Sequence, residues 1–144
     1  MAACAVLLLS AFAAADTSVA LPDYLRALAD LRYARAHLSV ETSDLAVDAD
    51  DQQAIDEIDM AIREVKEAAM DDGKSLDDHP PVDTRAGRSD RLYRALELLD
   101  KAHEATVERE QVGYRQGLKA DSAQHHIDKA RKAVHHAIDA ERHE

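Results

Sequence analysis

The chain has 144 residues and a single cysteine, a size for one domain that needs neither disulfide nor metal to fold. Its formal net charge of −11 excludes nucleic acid and anionic membrane surfaces as partners and leaves cations or basic proteins. Hydrophobic residues make up 46%, yet there is no Trp, one Phe, four Gly and three Pro, too little aromatic and turn chemistry for a β-rich fold.

The first element is apolar. Ala2 to Ala15 carries one polar side chain, Ser10, and the run Ala5 to Phe12 is too short to span a bilayer. It has the length of a signal-peptide core, and Ala13-Ala14-Ala15 offers a cleavage site. The expectation is a signal over residues 1–15, with a second possible cut after Ala20, and a periplasmic or secreted mature chain without a membrane span. No Lys or Arg precedes Arg26, so the basic start of such signals is absent, and a buried N-terminal helix is the competing reading. Cys4 precedes the apolar run, which excludes a lipoprotein; its removal also excludes thiol chemistry and Cys-based zinc sites.

Four stretches then repeat apolar residues in steps of three and four. Pro22 to Leu38 places Tyr24, Leu28, Leu31 and Leu38 on one face. Asp50 to Asp72 aligns Ile55, Ile58, Ile62 and Val65; Asp50 with Gln53 has the form of a capping box, and Gly73 that of a C-terminal stop. Ser89 to Gln111 turns Leu92, Leu96, Leu99, Thr106 and Val107 inward, with Ser89 as N-cap. Gly117 to Arg142 turns Ala123, Ile127, Ala130, Val134 and Ile138 inward. The fold class expected over residues 16–144 is all-α, an antiparallel up-down four-helix bundle. The segment Leu25-Arg26-Ala27-Leu28 with Leu31 and Ala34 recurs as Tyr93-Arg94-Ala95-Leu96 with Leu99 and Ala102. Ile55-Asp56 with Ala61-Ile62 recurs as Ile127-Asp128 with Ala133-Val134. This reads as a duplicated helical hairpin, with helices 1 and 3 parallel; chance likeness between Ala/Leu-rich helices is the alternative.

Five of the eight histidines lie in the last helix. His135, Asp139 and His143 are spaced four apart, as are Asp121 and His125, and such pairs share one helix face. Imidazole with carboxylate suits Cu, Ni or Zn, so these five are candidate metal ligands; a solvated His-rich surface is the other reading. Arg35 and His103 both fall in the inward phase at equivalent repeat positions, a candidate core polar layer. A di-iron site is rejected, because only Asp100-x-x-His103 approaches the required motif and the second helix offers no inward Glu mid-helix. Asp48, Asp50, Gln52 and Asp59 follow the spacing of a calcium loop without its Gly, and helix-start acids explain them equally.

The connection 73–88 is long, and its Asp77, Asp78 and His79 are a candidate cation or docking site, unless the loop simply packs on the bundle. No catalytic triad or phosphate loop is present, and a non-enzymatic protein is expected. The chain resembles a group of uncharacterised exported helical-bundle proteins of bacteria through Tyr24-Leu25-Arg26-Ala27-Leu28, the loop from Asp71-Asp72-Gly73-Lys74 to Val82, and His126-Ile127-Asp128. More distantly it is similar to the periplasmic small metal-binding protein family. That resemblance implies a four-helix bundle with reversible Cu, Ni and Zn binding, although the seven-residue His repeat of that family is absent. The functional expectation is an exported acidic bundle binding or buffering divalent transition metals on its last helix. The alternative is an interaction or structural module of the cell envelope that meets a protein partner through the loop 73–88.

Overall fold

The computed structural model describes residues 20–40, 48–68, 72–107 and 117–143. The expected signal over residues 1–15, with Cys4, lies outside the described residues; the alternative cut falls on the first residue of the first helix. Four helices form: α1 (Ala20–Leu38), α2 (Ala49–Ala68), α3 (Arg88–Val107) and α4 (Gly117–His143). There is no strand among the described residues, and no helix is long and apolar enough to cross a membrane. The all-α four-helix bundle expected from the periodicity is the observed fold.

Helix ends follow local chemistry. Asp48, two residues before the expected capping box, opens α2: its Oδ1 accepts from the Ala49 amide at 2.6 Å and its carbonyl from the Gln52 amide at 2.9 Å. Asp50 and Asp51 then place negative charge at the positive end of the helix dipole. At α3 the carbonyl of Gly87 accepts from the Arg91 amide at 3.1 Å, so the helix starts just before Ser89.

The inward faces bury Leu28, Leu31, Ile58, Val65, Leu99, Ile127 and Val134 at 0% exposure, with alanines between them. Small residues let the helix axes approach, and the aliphatics fill the layers. Two partnerships dominate, α2 on α4 and α1 on α3; α3·α4 and α1·α2 close the ring.

Side-chain pairings fix the directions. His37 faces Arg91 and Arg94, Tyr33 faces Arg94, and Arg26 shares a cleft with Lys101 and Glu104, so α1 and α3 are antiparallel. Arg88 with Glu141, Asp100 with Arg131 and His103 with Asp128 make α3 and α4 antiparallel. Arg88 joins Asp51 to Glu141, and Glu57 meets His126 and Lys129, so α2 and α4 are antiparallel as well. The bundle is antiparallel throughout, and its helices point up, down, down, up. The parallel relation expected of α1 and α3 is therefore corrected. The two hairpins pack so that α1 opposes α3 and α2 opposes α4, with their dipoles opposed. Some of the residue pairs matched in the sequence repeat share their exposure: Leu31 and Leu99 are both at 0%, Ala34 and Ala102 both at 0%, and Leu25 and Tyr93 are exposed at 43% and 44%, whereas Leu28 is buried and Leu96 only half-buried. Glu57 and Lys129, which stand at the same offset as Ile55 and Ile127, meet each other at 3.6 Å.

This winding forces a crossover, because α2 and α3 start at the same end. The chain after α2 must travel back along about 30 Å of helix. Residues 72–87, the strap, make that return. Asp72 is bound by Arg32 at 2.7 Å, the Lys74 carbonyl accepts from Lys66 Nζ at 3.0 Å, Leu76 packs on the core, and the Ala86 carbonyl accepts from Arg91. Gly73, at φ 70°, supplies the left-handed residue that turns the chain into the strap.

Candidate functional site

The five candidate ligands of α4 do not form a cage. His125, His135 and His143 are exposed, and so is Asp139, whose carboxylate lies 3.7 Å from Arg142. The side chain of Asp121 lies outside the described residues. Among the described residues no three His, Cys, Asp or Glu side chains converge on a point where an ion would sit. The histidines therefore occupy the outward face, where the helical phase put His125, His136 and His143.

One histidine of α4 behaves differently. His126 sits at the α2–α4 seam, and its Nδ1 donates to Oε2 of Glu57 at 2.6 Å. Both side chains are largely shielded, at 16% and 18% exposure. Lys129 approaches the other carboxylate oxygen at 3.6 Å, and the ring of His125 packs edge-on at 5.9 Å. Glu57 is not an inward residue of α2; it leans from the edge of the core toward α4. Sequence reasoning missed this pair because its members come from different hairpins, 69 residues apart. The repeat offset contained a signal: Glu57 stands at the same offset as Lys129, an acid matched to a base that meets it across the seam.

The strap residues do not form a cation cage either. Asp77 and Asp78 are exposed, Lys74 lies 3.9 Å from Asp78, and Nδ1 of His79 donates to the Pro80 carbonyl at 2.8 Å. Of the calcium-loop residues, Asp48 binds Arg88 at 3.3 Å, Gln52 donates to Asp56 at 2.9 Å and Asp59 binds Arg35 at 2.7 Å; the neighbouring Asp51 also binds Arg88, at 3.1 Å. Arg88 also holds Glu141, so it joins the start of α2, the start of α3 and the end of α4. Burial pushes the Asp51 carboxyl above the ordinary aspartate value, against the pull of Arg88.

Arg35 and His103 do not share a core layer. Both are partly exposed, at 24% and 29%, and each turns to the other helix of its own hairpin, Arg35 to Asp59 and His103 to Asp128 at 3.5 Å. Because α1 and α3 are antiparallel, the two lie at different heights. The most deeply buried cation among the described residues is Arg32, at 1% exposure, sealed by Asp72 of the strap. Burial alone would raise the Asp72 carboxyl; the Arg32 hydrogen bond, the Lys74 amide and the charges of Arg32 and Lys66 outweigh it and hold the group below its ordinary value.

The α1–α3 seam is open at the end away from Arg88. A cleft of about 350 Å³ there is lined by Arg26, Asp30, Lys101, Glu104 and Ala105. Burial raises the Asp30 carboxyl, while Lys101, Arg26 and Arg94 pull it down. The cleft mixes both signs of charge and holds no nucleophile paired with a base. No family model, curated protein or solved structure matches the chain, so the resemblance to exported bundle proteins rests on the quoted motifs alone.

Proposed function

We propose that this is an exported, non-enzymatic acidic bundle that binds or buffers divalent transition metals, Cu, Ni or Zn, through α4. The observation that supports this reading best is the His126–Glu57 pair, an imidazole and a carboxylate held 2.6 Å apart across two helices. Two ligands bound side by side to one ion at about 2.1 Å each stand about 3 Å apart, so a small parting of the pair admits a metal. Lys129 opposes binding, and two protein ligands leave the remaining positions to water, which gives weak and exchangeable occupancy. The exposed His125, His135 and His143, with Asp139, supply outer sites of still lower affinity.

Calorimetric titration of the mature chain with Cu(II), Ni(II) and Zn(II) tests this reading. His126→Ala should remove the tightest phase, and a variant lacking all α4 histidines should give no binding heat. Equal heats from that variant and the parent chain would sink it.

A second reading is a docking role for the strap in the cell envelope. It is favoured by a strap bound along its length that presents Asp77, Asp78, Pro80 and Pro81 to solvent. Replacing residues 74–82 should then remove a partner from a periplasmic pull-down, and an unaltered partner list counts against it.

A further inference from the structure

The described part of the molecule holds one buried histidine without a hydrogen bond. His37, in the last turn of α1, is 8% exposed, and neither Nδ1 nor Nε2 has a partner. A buried imidazole with no acceptor is tolerable only while neutral; a protonated ring has two donors to satisfy and a charge to solvate.

Each surrounding element contributes to the setting. On α1 itself, Tyr33 stacks against the ring at 4.6 Å, and the negative end of the helix dipole offers some attraction for a cation. From α3, Arg91 and Arg94 present positive charge. The guanidinium of Arg91 is itself buried and bound to the Ala86 carbonyl of the strap; that of Arg94 is bound to Glu97 and lies 6.0 Å from the Tyr33 ring. From the strap comes His79, a second imidazole near the ring. Among the described residues, no carboxylate figures in the charges acting on the ring. Burial, with the charges of Arg94, Arg91 and His79, pushes His37 below the ordinary histidine value.

The strap is the part best placed to respond. It has no helix or strand of its own and rests on a few side-chain contacts, whereas the helices share a continuous core. We propose that His37 is an acid-sensitive latch: the strap closes over the neutral ring, and a proton on that ring releases residues 72–87 while the four helices stay packed. Opening uncovers the seat of Leu76 on the core, a surface the neutral protein conceals.

The direction follows from linkage. A histidine that binds its proton less readily in the closed form stabilises that form fully above the ordinary histidine range, and the stabilisation is lost as pH falls below it. Hydrogen exchange on the intact chain at about pH 7.5 and about pH 5.5, corrected for intrinsic rates, reads the opening directly. Strap amides should show a severalfold rise in opening at the lower pH, with α4 amides unchanged. His37→Phe should abolish the rise, and His79→Gln should keep most of it. A strap that opens equally at both pH values overturns the proposal, as does a rise spread uniformly over α4 or one abolished by His79→Gln alone. NMR titration of the His37 ring in the unaltered protein decides independently of any variant's folding. A midpoint below that of free histidine supports the latch, and one at or above it overturns the latch.

Discussion

Arg32 is almost fully shielded from water, and its anionic partner among the described residues sits on the strap. Its Nη2 donates to Asp72 at 2.7 Å, both side chains are at 5% exposure or less, and its Nε has no partner. Removing one member of such a pair leaves a stranded charge, so Arg32→Met should cost about 3–5 kcal/mol in urea denaturation. The pH profile should flatten as well. Asp72 is held below its ordinary value, so in the parent chain its contribution is complete above the ordinary aspartate range and is lost as pH falls through its folded value. In Arg32→Met the acid is left with Lys66, at 3.7 Å, and the Lys74 amide, so it binds its proton more readily than in the parent chain. Less stability is then lost on acidification, and unfolding midpoints measured from about pH 4 to about pH 7 distinguish the two slopes. Neither Arg32 nor Glu57 was legible from the periodicity. Both sit beside apolar positions at the edge of a helical stripe, where the same phase suits a solvated charge or a sealed one. What decides is an element distant in sequence: the strap for Arg32, α4 for Glu57.

At the scale of the helices, the apolar phase was legible nearly residue by residue. Tyr24, Leu28, Leu31 and Leu38 of α1 and Ile55, Ile58, Ile62 and Val65 of α2 are all buried as their spacing required. Leu96 and Val107 are exceptions, only partly buried: the seam of α3 runs through Leu92, Ala95, Leu98 and Leu99, and Val107 is the last residue of the helix. Leu99→Ala should therefore cost about 2–5 kcal/mol and Leu96→Ala clearly less, read from thermal or urea unfolding. The strap's turn offers a cleaner measurement. A Cβ placed on Gly73 meets nothing within 4 Å, so Gly73→Ala suffers only from the φ of 70°, at about 1–2 kcal/mol.

For the whole molecule, periodicity specified four helices and left their winding open, because inward faces look alike in either arrangement. The direction of α3 is set by pairs such as Tyr33 with Arg94 and by Arg88, which gathers three helix ends, features that come from tertiary assembly. Spin labels test the winding. A label at Ser39, next to the end of α1, should lie close to one at Ser89 and farther from one at Glu104, which sits about 22 Å along α3. A parallel α1 and α3 would reverse that order. The candidate metal site was legible only as a composition bias: five histidines on one helix were visible, whereas the one anchored by a carboxylate was identified by its neighbour across the seam.

The dominance of α1·α3 and α2·α4 over the contacts within each hairpin has a kinetic consequence. A meander of helices gathers its partners locally and closes small loops one after another. Here each hairpin finds its main partner roughly 70 positions away, so the chain must bring both halves together before either gains most of its burial. Refolding should therefore be slow for an all-helical protein of this length. Either half expressed alone should remain largely unstructured, and the two halves mixed at high concentration should recover helicity together.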